Sequence, residues 1–210
     1  MGRHIGPVCR LCRREGLKLF LKGTRCDTPK CAIDRREGQP PGMHQFRRGK
    51  ASEYSIRLRE KQKVKRYYGV FERQFRKYFE LAGRRPGNTG DALMALLERR
   101  LDNVVTRLGF GTSRAQSRQM ITHGHVTVNG RKLDIPSYLV RPGDTIKIKD
   151  REHSLKLATT NLAAEGMPPV PDWLDRTSTE PPEGRVSRLP GTQDISLPVT
   201  PQLIIELLSR

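Results

Sequence analysis

The sequence has few acidic residues, few apolar residues and no long hydrophobic run. Of its 210 residues, 22 are Asp or Glu and 40 are Lys or Arg, which gives a formal net charge of +18. Apolar residues make up 35%, a low share for a globular chain, so we expect part of the chain to be an extended arm. No apolar run approaches the roughly 18 residues of a membrane-spanning helix, and the N-terminus lacks the apolar stretch of a signal peptide. We therefore expect a cytoplasmic protein with a polyanionic partner and no membrane partner.

The excess positive charge is concentrated in the first 90 residues. This part has 24 basic and 8 acidic residues, whereas residues 91–150 have 10 and 6, and residues 151–210 have 6 and 8. Such density opposes compact folding through self-repulsion unless an anion neutralises it. A phosphate backbone does so and releases its counterions. Because the basic residues are interleaved with aromatics and turns, a nucleic acid explains the charge better than a solubilising or membrane-surface role.

All four cysteines lie within the first 31 residues, as Cys9, Cys12, Cys26 and Cys31. Two close pairs separated by a loop are typical of a tetrahedral metal site. The surrounding Arg and Lys residues favour the thiolate, and metal binding supplies folding free energy that a segment poor in apolar residues lacks. The pattern predicts a structural zinc ion with no open position for a catalytic water. An iron–sulfur cluster, two disulfides and free thiols are the alternatives.

Basic residues continue through a connector and a helix. Turn residues and like charges predict an extended segment over 32–51, and Ser52 is a good N-cap for the helix that follows. Basic side chains fall on most sides of this helix, which suits a helix lying on phosphate. The residues expected to contact RNA in the first 66 positions are Arg3, Arg10, Arg13, Arg14, Arg47, Arg48, Lys50, Arg57, Lys61, Lys63, Lys65 and Arg66.

Two apolar stripes at helical spacing predict core-facing helices. The first stripe consists of Phe71, Phe75, Tyr78 and Phe79. Because so regular a stripe is more often core than a base-stacking surface, we interpret it as core. The second stripe consists of Leu93, Leu97, Leu101, Val104 and Leu108. We expect the charged residues of that second helix to face outwards, namely Glu98, Arg99, Arg100 and Arg107.

Residues 113–149 predict a short helix and a small sheet, each with a basic face. A capping box at Ser113 opens the helix, whose N-terminus suits a phosphate. Arg114 and Arg118 lie one turn apart on it and repel each other unless an anion lies between them. A strand and the hairpin-turn signal Asn129-Gly130 follow. The candidate RNA-binding residues here are Ser113, Arg114, Gln116, Arg118, His125, Asn129, Arg131 and Lys132.

Several blocks of the sequence resemble one family. Blocks 113–118 (SRAQSR) and 125–130 (HVTVNG) resemble the RNA-binding module named after small-subunit ribosomal protein S-four. Blocks 58–64 (LREKQKV), 68–76 (YGVFERQFR) and 96–105 (LLERRLDNVV) are similar to that ribosomal family itself. The cysteine spacing is similar to that of its zinc-containing bacterial members. The chain is therefore identified as a member of the S-four family of small-subunit ribosomal proteins, of the bacterial zinc-containing type.

The predicted fold is α+β, with a mainly helical N-terminal domain that carries a zinc knuckle and a small helix-and-sheet RNA-binding module. The expected parts are a zinc knuckle and basic arm over 1–45, a helical domain over 46–98 completed by 190–210, the module over 99–165, and a Pro-rich connector over 166–189. The apolar C-terminal end should dock on the protein, and the resemblance implies that it docks against the N-terminal helical domain. We expect Trp173 to be an anchor in that packing.

The resemblance implies a structural constituent of the small ribosomal subunit. It implies binding to 16S ribosomal RNA, nucleation of assembly, an influence on decoding accuracy, and contact with ribosomal protein S-five and other small-subunit proteins. Arg47, Arg48 and Lys50 match the segment near the channel through which messenger RNA enters, and we expect them to grip it. A messenger-binding translational regulator and an RNA-modifying enzyme with the same module are the alternatives. Since the sequence has scattered histidines and no nucleophile–base constellation or phosphate-binding glycine loop, we predict that the chain is not an enzyme.

Overall fold

The structure is a computed structural model that describes residues 2, 4–36, 39–43, 50–164, 166 and 168–209. Three of the predicted RNA-binding residues, Arg3, Arg47 and Arg48, lie outside the described residues. The chain divides into two compact units. The first unit comprises Met1–Met94 and Leu197–Arg210, and the second comprises Ala95–Ser196. The cysteine-containing segment therefore belongs to the same unit as residues 50–94 and the C-terminal end of the chain.

Helices and one antiparallel sheet make up the regular structure of the described residues. The helices are α1 (Cys9–Glu15), α2 (Glu53–Tyr67), α3 (Glu72–Gly83), α4 (Thr89–Glu98), α5 (Leu101–Arg107), α6 (Arg114–Thr122), α7 (Glu152–Leu162) and α8 (Pro201–Leu208). Short 3₁₀ turns cover Gly23–Asp27, Asp34–Arg36 and Thr192–Asp194. The strands are β1 (Val126–Val128), β2 (Arg131–Lys132), β3 (Thr145–Ile148), β4 (Leu174–Thr179) and β5 (Pro182–Val186). These elements confirm the α+β class, and none of the described helices has the length and apolarity needed to cross a membrane.

Local signals in the sequence account for the start and the core face of the helices in the first unit. The Ser52 side chain accepts a hydrogen bond from the backbone N–H of Ser55 at 3.3 Å, which confirms the predicted cap of α2. On α3, Phe75 and Tyr78 are buried, as the aromatic stripe predicted. Phe71, which precedes α3, is 49% exposed, so the stripe is only partly core.

The C-terminal helix α8 packs against α2, as the apolar end of the chain predicted. Ile204 is fully buried, and the Arg57 Nε donates a hydrogen bond to the Glu206 Oε2 at 2.8 Å. The approach of α8 to the beginning of α4 depends on Gly90. A Cβ atom there would lie 2.8 Å from the Pro201 Cβ, closer than two carbon atoms can pack.

The second unit packs α5, α6 and α7 with a five-stranded sheet in the order β2-β1-β3-β5-β4, in which all neighbours are antiparallel. Buried residues alternate with exposed ones along β3 and β5, so one face of the sheet joins the core. The β1–β2 turn is formed by Asn129 and Gly130, with φ of 50° and 76°. This geometry confirms the predicted hairpin, because both positions require the left-handed conformation.

The prediction that residues 166–189 form a Pro-rich connector is wrong, because this segment contains the β4–β5 hairpin. Pro182 is the first residue of β5, a position that tolerates the missing N–H. Trp173 precedes β4 and is completely buried in the core of the second unit, not in the packing of α8 on the first. Because prolines are typical of irregular segments, the proline content favoured a connector. The segment instead contains a strand whose residues alternate between more and less buried positions.

The charged residues around position 100 also differ from the prediction. Glu98, Arg100 and Arg107 are 0%, 2% and 7% exposed, whereas they were expected on the outer face. The apolar stripe does not lie on one helix, because α4 ends at Glu98 and α5 begins at Leu101. Between them the chain is extended and Arg100 forms a β-bridge with Leu139. This break turns the charged side chains into the second unit, where each has a partner.

Candidate nucleic-acid interface

The basic residues of α2 form ion pairs within the first unit. Lys61 Nζ and Lys65 Nζ bind the two carboxylate oxygens of Glu72 at 2.9 and 2.6 Å. Burial acts to raise the pKa of Glu72, but the hydrogen bonds and charges of the two lysines outweigh it and lower the pKa to about 2. Arg57 similarly binds Glu206.

A second carboxylate, that of Glu15 on α1, accepts hydrogen bonds from both Arg59 and Arg66 of α2. The Glu15 side chain is 1% exposed, and burial raises its pKa although the two arginines act in the opposite direction. Lys63 is paired with Glu60. We expected five cations of α2 to be available for phosphate, and each is instead held by a carboxylate: Arg57, Lys61, Lys63, Lys65 and Arg66. Their contact with RNA stays a prediction.

The other described residues predicted to bind RNA in the first unit have different surroundings. Arg10, Arg14 and Lys50 are exposed. Arg13 is 8% exposed and donates to the backbone carbonyls of Gln39 and Pro40 at 2.9 and 3.0 Å. Arg13 therefore anchors residues 39–40 to α1, and little of its side chain is exposed to solvent.

At the beginning of α6, Ser113 and Gln116 act mainly as capping residues. The Ser113 Oγ accepts a hydrogen bond from the Gln116 backbone N–H at 3.3 Å. The Gln116 Oε1 accepts from the backbone N–H of Thr112 at 2.8 Å and from its hydroxyl at 2.7 Å. The predicted cap is therefore present, but its return bond goes to Thr112 and not to Ser113.

Arg114 and Arg118 each have a hydrogen-bond partner within the second unit. The Arg114 Nε donates to the Asn103 Oδ1 at 2.9 Å, and the Arg118 Nη1 donates to the Asp102 Oδ2 at 3.2 Å. The repulsion expected between the two guanidinium groups is thus partly offset within the second unit. Both side chains are half-buried, so each still presents part of its surface to solvent.

His125 lies between two other histidines on the surface of the second unit. Its ring centroid is 6.2 Å from that of His123 and 6.1 Å from that of His153. The His125 Nδ1 is 2.9 Å from the Ser154 Oγ, which fixes the orientation of the ring. Burial lowers the pKa of His125, and the positive charges of His123, His153 and Arg151 lower it further. A phosphate bound at this histidine cluster would oppose these charges.

The β1–β2 hairpin presents two cations. Arg131 and Lys132 are exposed, and neither forms an ion pair with any acidic side chain among the described residues. Asn129 instead supports the turn: its Nδ2 donates to the Asp144 Oδ1 at 2.8 Å and its Oδ1 accepts from the Thr145 N–H at 2.9 Å. Of the predicted residues in this hairpin, the two cations are the ones placed to meet an external anion.

The four cysteines are free thiols on neighbouring segments of the first unit. Cys9 and Cys12 lie on α1, Cys26 lies in the first 3₁₀ turn, and Cys31 follows it. Burial raises the pKa of Cys12 and of Cys26, and the charges of the other cysteines raise both further. In the described part of the chain, no three His, Cys, Asp or Glu side chains converge as metal ligands do. The four thiols have the chemistry that zinc requires. Because the described side chains do not converge on a common point, the zinc site stays a prediction.

Comparison with known proteins identifies the family. The family model described as "Ribosomal protein S4/S9 N-terminal domain" matches residues 3–98, and the model described as "S4 domain" matches residues 99–146. The chain is 55% identical to small ribosomal subunit protein uS4 of Thermus thermophilus, over 100% of both chains. It is 54% identical to the uS4 protein of a Thermoanaerobacter species and 53% identical to that of Thermodesulfovibrio yellowstonii, again over 100% of each chain.

The chain belongs to the uS4 family of ribosomal proteins. This confirms the resemblance drawn from the sequence blocks and the prediction that the chain is not an enzyme. The S4 domain match ends at residue 146, before β4 and β5 begin. The hairpin that the sequence analysis missed therefore lies outside the residues that the two family models match, although the uS4 relatives align over it.

Sequence analysis also missed cations that the structure brings together. Arg151 and His153 lie beside His125 although they follow it by more than 25 positions. In the first unit, Arg25, Arg35 and Arg36 share one cavity with residues of α1. A count of basic residues per segment indicated the charge, but only the folding of the chain groups these side chains.

Proposed function

We propose that the chain is a structural constituent of the small ribosomal subunit, acts in the cytoplasm, and binds 16S ribosomal RNA. The observation that carries this proposal is the 55% identity over 100% of both chains to a protein named small ribosomal subunit protein uS4. The net charge of +18 supports it, because neutralising phosphates releases counterions from RNA.

In the second unit, the β1–β2 hairpin and the histidine cluster are the parts that we propose to touch RNA. The support is the exposure of Arg131 and Lys132, without acidic partners among the described residues, and the grouping of His123, His125 and His153. Lysine and arginine bind phosphates and set the orientation of a protein on a folded RNA. Base-specific contacts have a minor part in this mechanism.

Binding of the purified chain to a transcript of the 16S five-prime domain, across a salt series, tests the proposal. We expect the logarithm of the affinity to fall linearly with the logarithm of salt concentration. The variant Arg131→Gln/Lys132→Gln should reduce the slope by about two, roughly one for each phosphate that is no longer neutralised. The matched control removes two cations that have partners in the protein, Lys147 on Glu183 and Arg176 on the Leu108 carbonyl.

Two results would contradict the proposed function. One is a wild-type affinity that does not depend on salt or does not distinguish the five-prime domain from a transcript of another 16S domain. The other is failure of the chain to sediment with small ribosomal subunits from cell lysate. A free regulator or a free enzyme would remain near the top of the gradient.

We infer that Cys9, Cys12, Cys26 and Cys31 hold one structural zinc ion. The support is the choice of donors, their spacing and their position on adjacent segments of one unit. When bound, zinc would link α1 to the first 3₁₀ turn and contribute to folding, with no role in catalysis. Elemental analysis should find one zinc per chain, and Cys9→Ser/Cys31→Ser should lose it. Iron with acid-labile sulfide would show an iron–sulfur cluster in its place.

We propose further that the chain takes part in assembly, decoding accuracy and messenger uptake. Lys50 is exposed, and with Arg47 and Arg48 it forms a compact basic group in the sequence. Ribosomes with all three changed to Ala should translate a structured messenger more slowly, relative to an unstructured one, than wild-type ribosomes do. The control changes three exposed cations near α3, Arg73, Arg84 and Arg85, to Ala. Equal rates on both messengers would contradict the messenger role.

Contact with ribosomal protein S-five and early assembly are tested by reconstitution of the small subunit. Omission of this chain should leave S-five and other small-subunit proteins bound at reduced occupancy, and it should raise misreading by the particles that form. Full occupancy of S-five without this chain would contradict the proposed contact, and unchanged misreading would contradict the proposed effect on accuracy.

A further inference from the structure

Among the described residues that line a cavity of about 520 Å³ in the first unit, most are cations and none is acidic. The described residues of its wall come from α1, the 3₁₀ turns Gly23–Asp27 and Asp34–Arg36, Lys30, Ala32 and residues 41–42. Six of the ten described residues that line it are basic. These are Arg10, Arg13, Arg25, Lys30, Arg35 and Arg36.

The cations of this cavity differ from those of α2 in the same unit. Each cation of α2 predicted to bind RNA is paired with a carboxylate. The cavity cations besides Arg13 are Arg10, Arg25, Lys30, Arg35 and Arg36. In contrast to the cations of α2, these five form no ion pair with any acidic residue that the structure describes. Nearby Asp34 points its carboxylate to Lys18 at 2.7 Å, which leaves it outside the cavity.

Hydrogen bonds of a buried side chain hold part of the cavity wall in place. The buried Arg13 guanidinium donates to the carbonyls of Gln39 and Pro40, which precede the lining residues Pro41 and Gly42. Backbone carbonyls are neutral acceptors, and Arg13 forms no ion pair with an acidic residue in the described part of the chain. The other lining cations add several like charges around the same cavity, which favours the binding of an anion there.

Grouping like charges in this way disfavours the folded state unless an anion occupies the cavity. Phosphate is the anion that matches arginine, because the planar guanidinium donates two parallel hydrogen bonds to it. The volume lies in the range of small-molecule pockets, so the cavity has room for more than one phosphate group. Because most of the lining cations are exposed, the anion that fits is an extended one lying along the surface.

We propose that this cavity is a phosphate-binding site for consecutive phosphates of an RNA backbone. The proposal rests on the RNA-binding function proposed above and deepens it, since it places the phosphate contacts of the first unit at the cavity and not on α2. The residues that it adds to those found from the sequence are Arg25, Lys30, Arg35 and Arg36.

The test compares two variants of the full-length chain that lose the same charge. The cavity variant is Arg25→Gln/Lys30→Gln/Arg35→Gln/Arg36→Gln, and the control is Arg73→Gln/Lys77→Gln/Arg84→Gln/Arg85→Gln, whose cations are exposed on or just after α3. Salt series with the 16S five-prime-domain transcript should show a slope reduced by about three to four in the cavity variant and by about one or less in the control. Circular dichroism establishes that both variants keep the wild-type helix content.

A second measurement uses inorganic tripolyphosphate in calorimetric titrations of the same proteins. The wild type and the control should bind it, and the cavity variant should bind at least tenfold more weakly. Equal slopes and equal tripolyphosphate affinities in the two variants would overturn the proposal while leaving RNA binding by the chain intact. A wild-type chain that binds tripolyphosphate in the cavity but binds no RNA would overturn both the RNA occupant and the proposed function.

Discussion

Arg100 and Asp102 are buried side by side and joined by two hydrogen bonds, from Arg100 Nε to Asp102 Oδ1 at 3.0 Å and from Arg100 Nη2 to Asp102 Oδ2 at 2.5 Å. The same carboxylate accepts from Arg118 of α6 and from the backbone N–H of Asn103. One acidic side chain therefore compensates a buried guanidinium and fixes a candidate RNA-binding arginine. Asp102 therefore contributes both to the stability of the second unit and to the position of Arg118 at the candidate interface.

We predict that Asp102→Asn destabilises the chain by about 3–5 kcal/mol, because it removes the carboxylate charge that pairs with the buried Arg100. Urea unfolding followed by circular dichroism measures the loss. The control, Asp134→Asn, changes an exposed carboxylate and should alter stability by about 0.5 kcal/mol or less. A similar small effect of both substitutions would show that the buried pair contributes nothing to folding.

The β1–β2 turn yields a prediction about Asn129. Asn129→Ala should destabilise the chain by about 1–3 kcal/mol, because alanine is strained at φ 50° and leaves the Asp144 and Thr145 partners unmatched. Asn129→Gly loses the same two hydrogen bonds but keeps the backbone conformation, so it should cost less. Thermal unfolding ranks the variants, and a glycine variant no more stable than the alanine variant would contradict the role of the backbone.

The Glu72 pair with Lys61 and Lys65 predicts acid sensitivity. Because the folded state lowers the pKa of Glu72 from 4.5 to about 2, its contribution to stability is complete above pH 4.5 and is lost as the pH falls through about 2. Unfolding free energies measured from pH 6 downwards should therefore fall less steeply in Glu72→Gln than in the wild type. Glu80→Gln, an exposed position on α3, serves as the control and should follow the wild-type curve.

Trp173, the single tryptophan of the chain, is completely buried, and its Nε1 has no hydrogen-bond partner in the part of the chain that the structure describes. Trp173→Ala should cost about 3–5 kcal/mol through the cavity that it creates. Trp173→Phe should cost markedly less, because it also removes a buried N–H without a partner. Wild-type fluorescence should shift to the red when the second unit unfolds. Equal costs for the two substitutions, by urea unfolding, would contradict this account.

The features predicted correctly from the sequence depend on residues close together in the chain. The Ser52 and Ser113 caps, the Asn129-Gly130 turn and the helix core faces each follow from the chemistry of a few neighbouring positions. The family blocks are local in the same sense. The total charge and the presence of a nucleic-acid partner among the predictions likewise needed only composition and spacing.

The tertiary structure decided which charges are free. Arg57 meets Glu206 across 149 positions, and Arg66 meets Glu15 across 51, so no local pattern distinguishes these paired cations from those of the cavity. It also decided that Glu98 and Arg100 are buried and that a proline-rich segment completes the sheet. The physical reason is that a side chain's charge is compensated by whatever folding brings within a few ångströms, whereas sequence spacing describes only the neighbours along the chain.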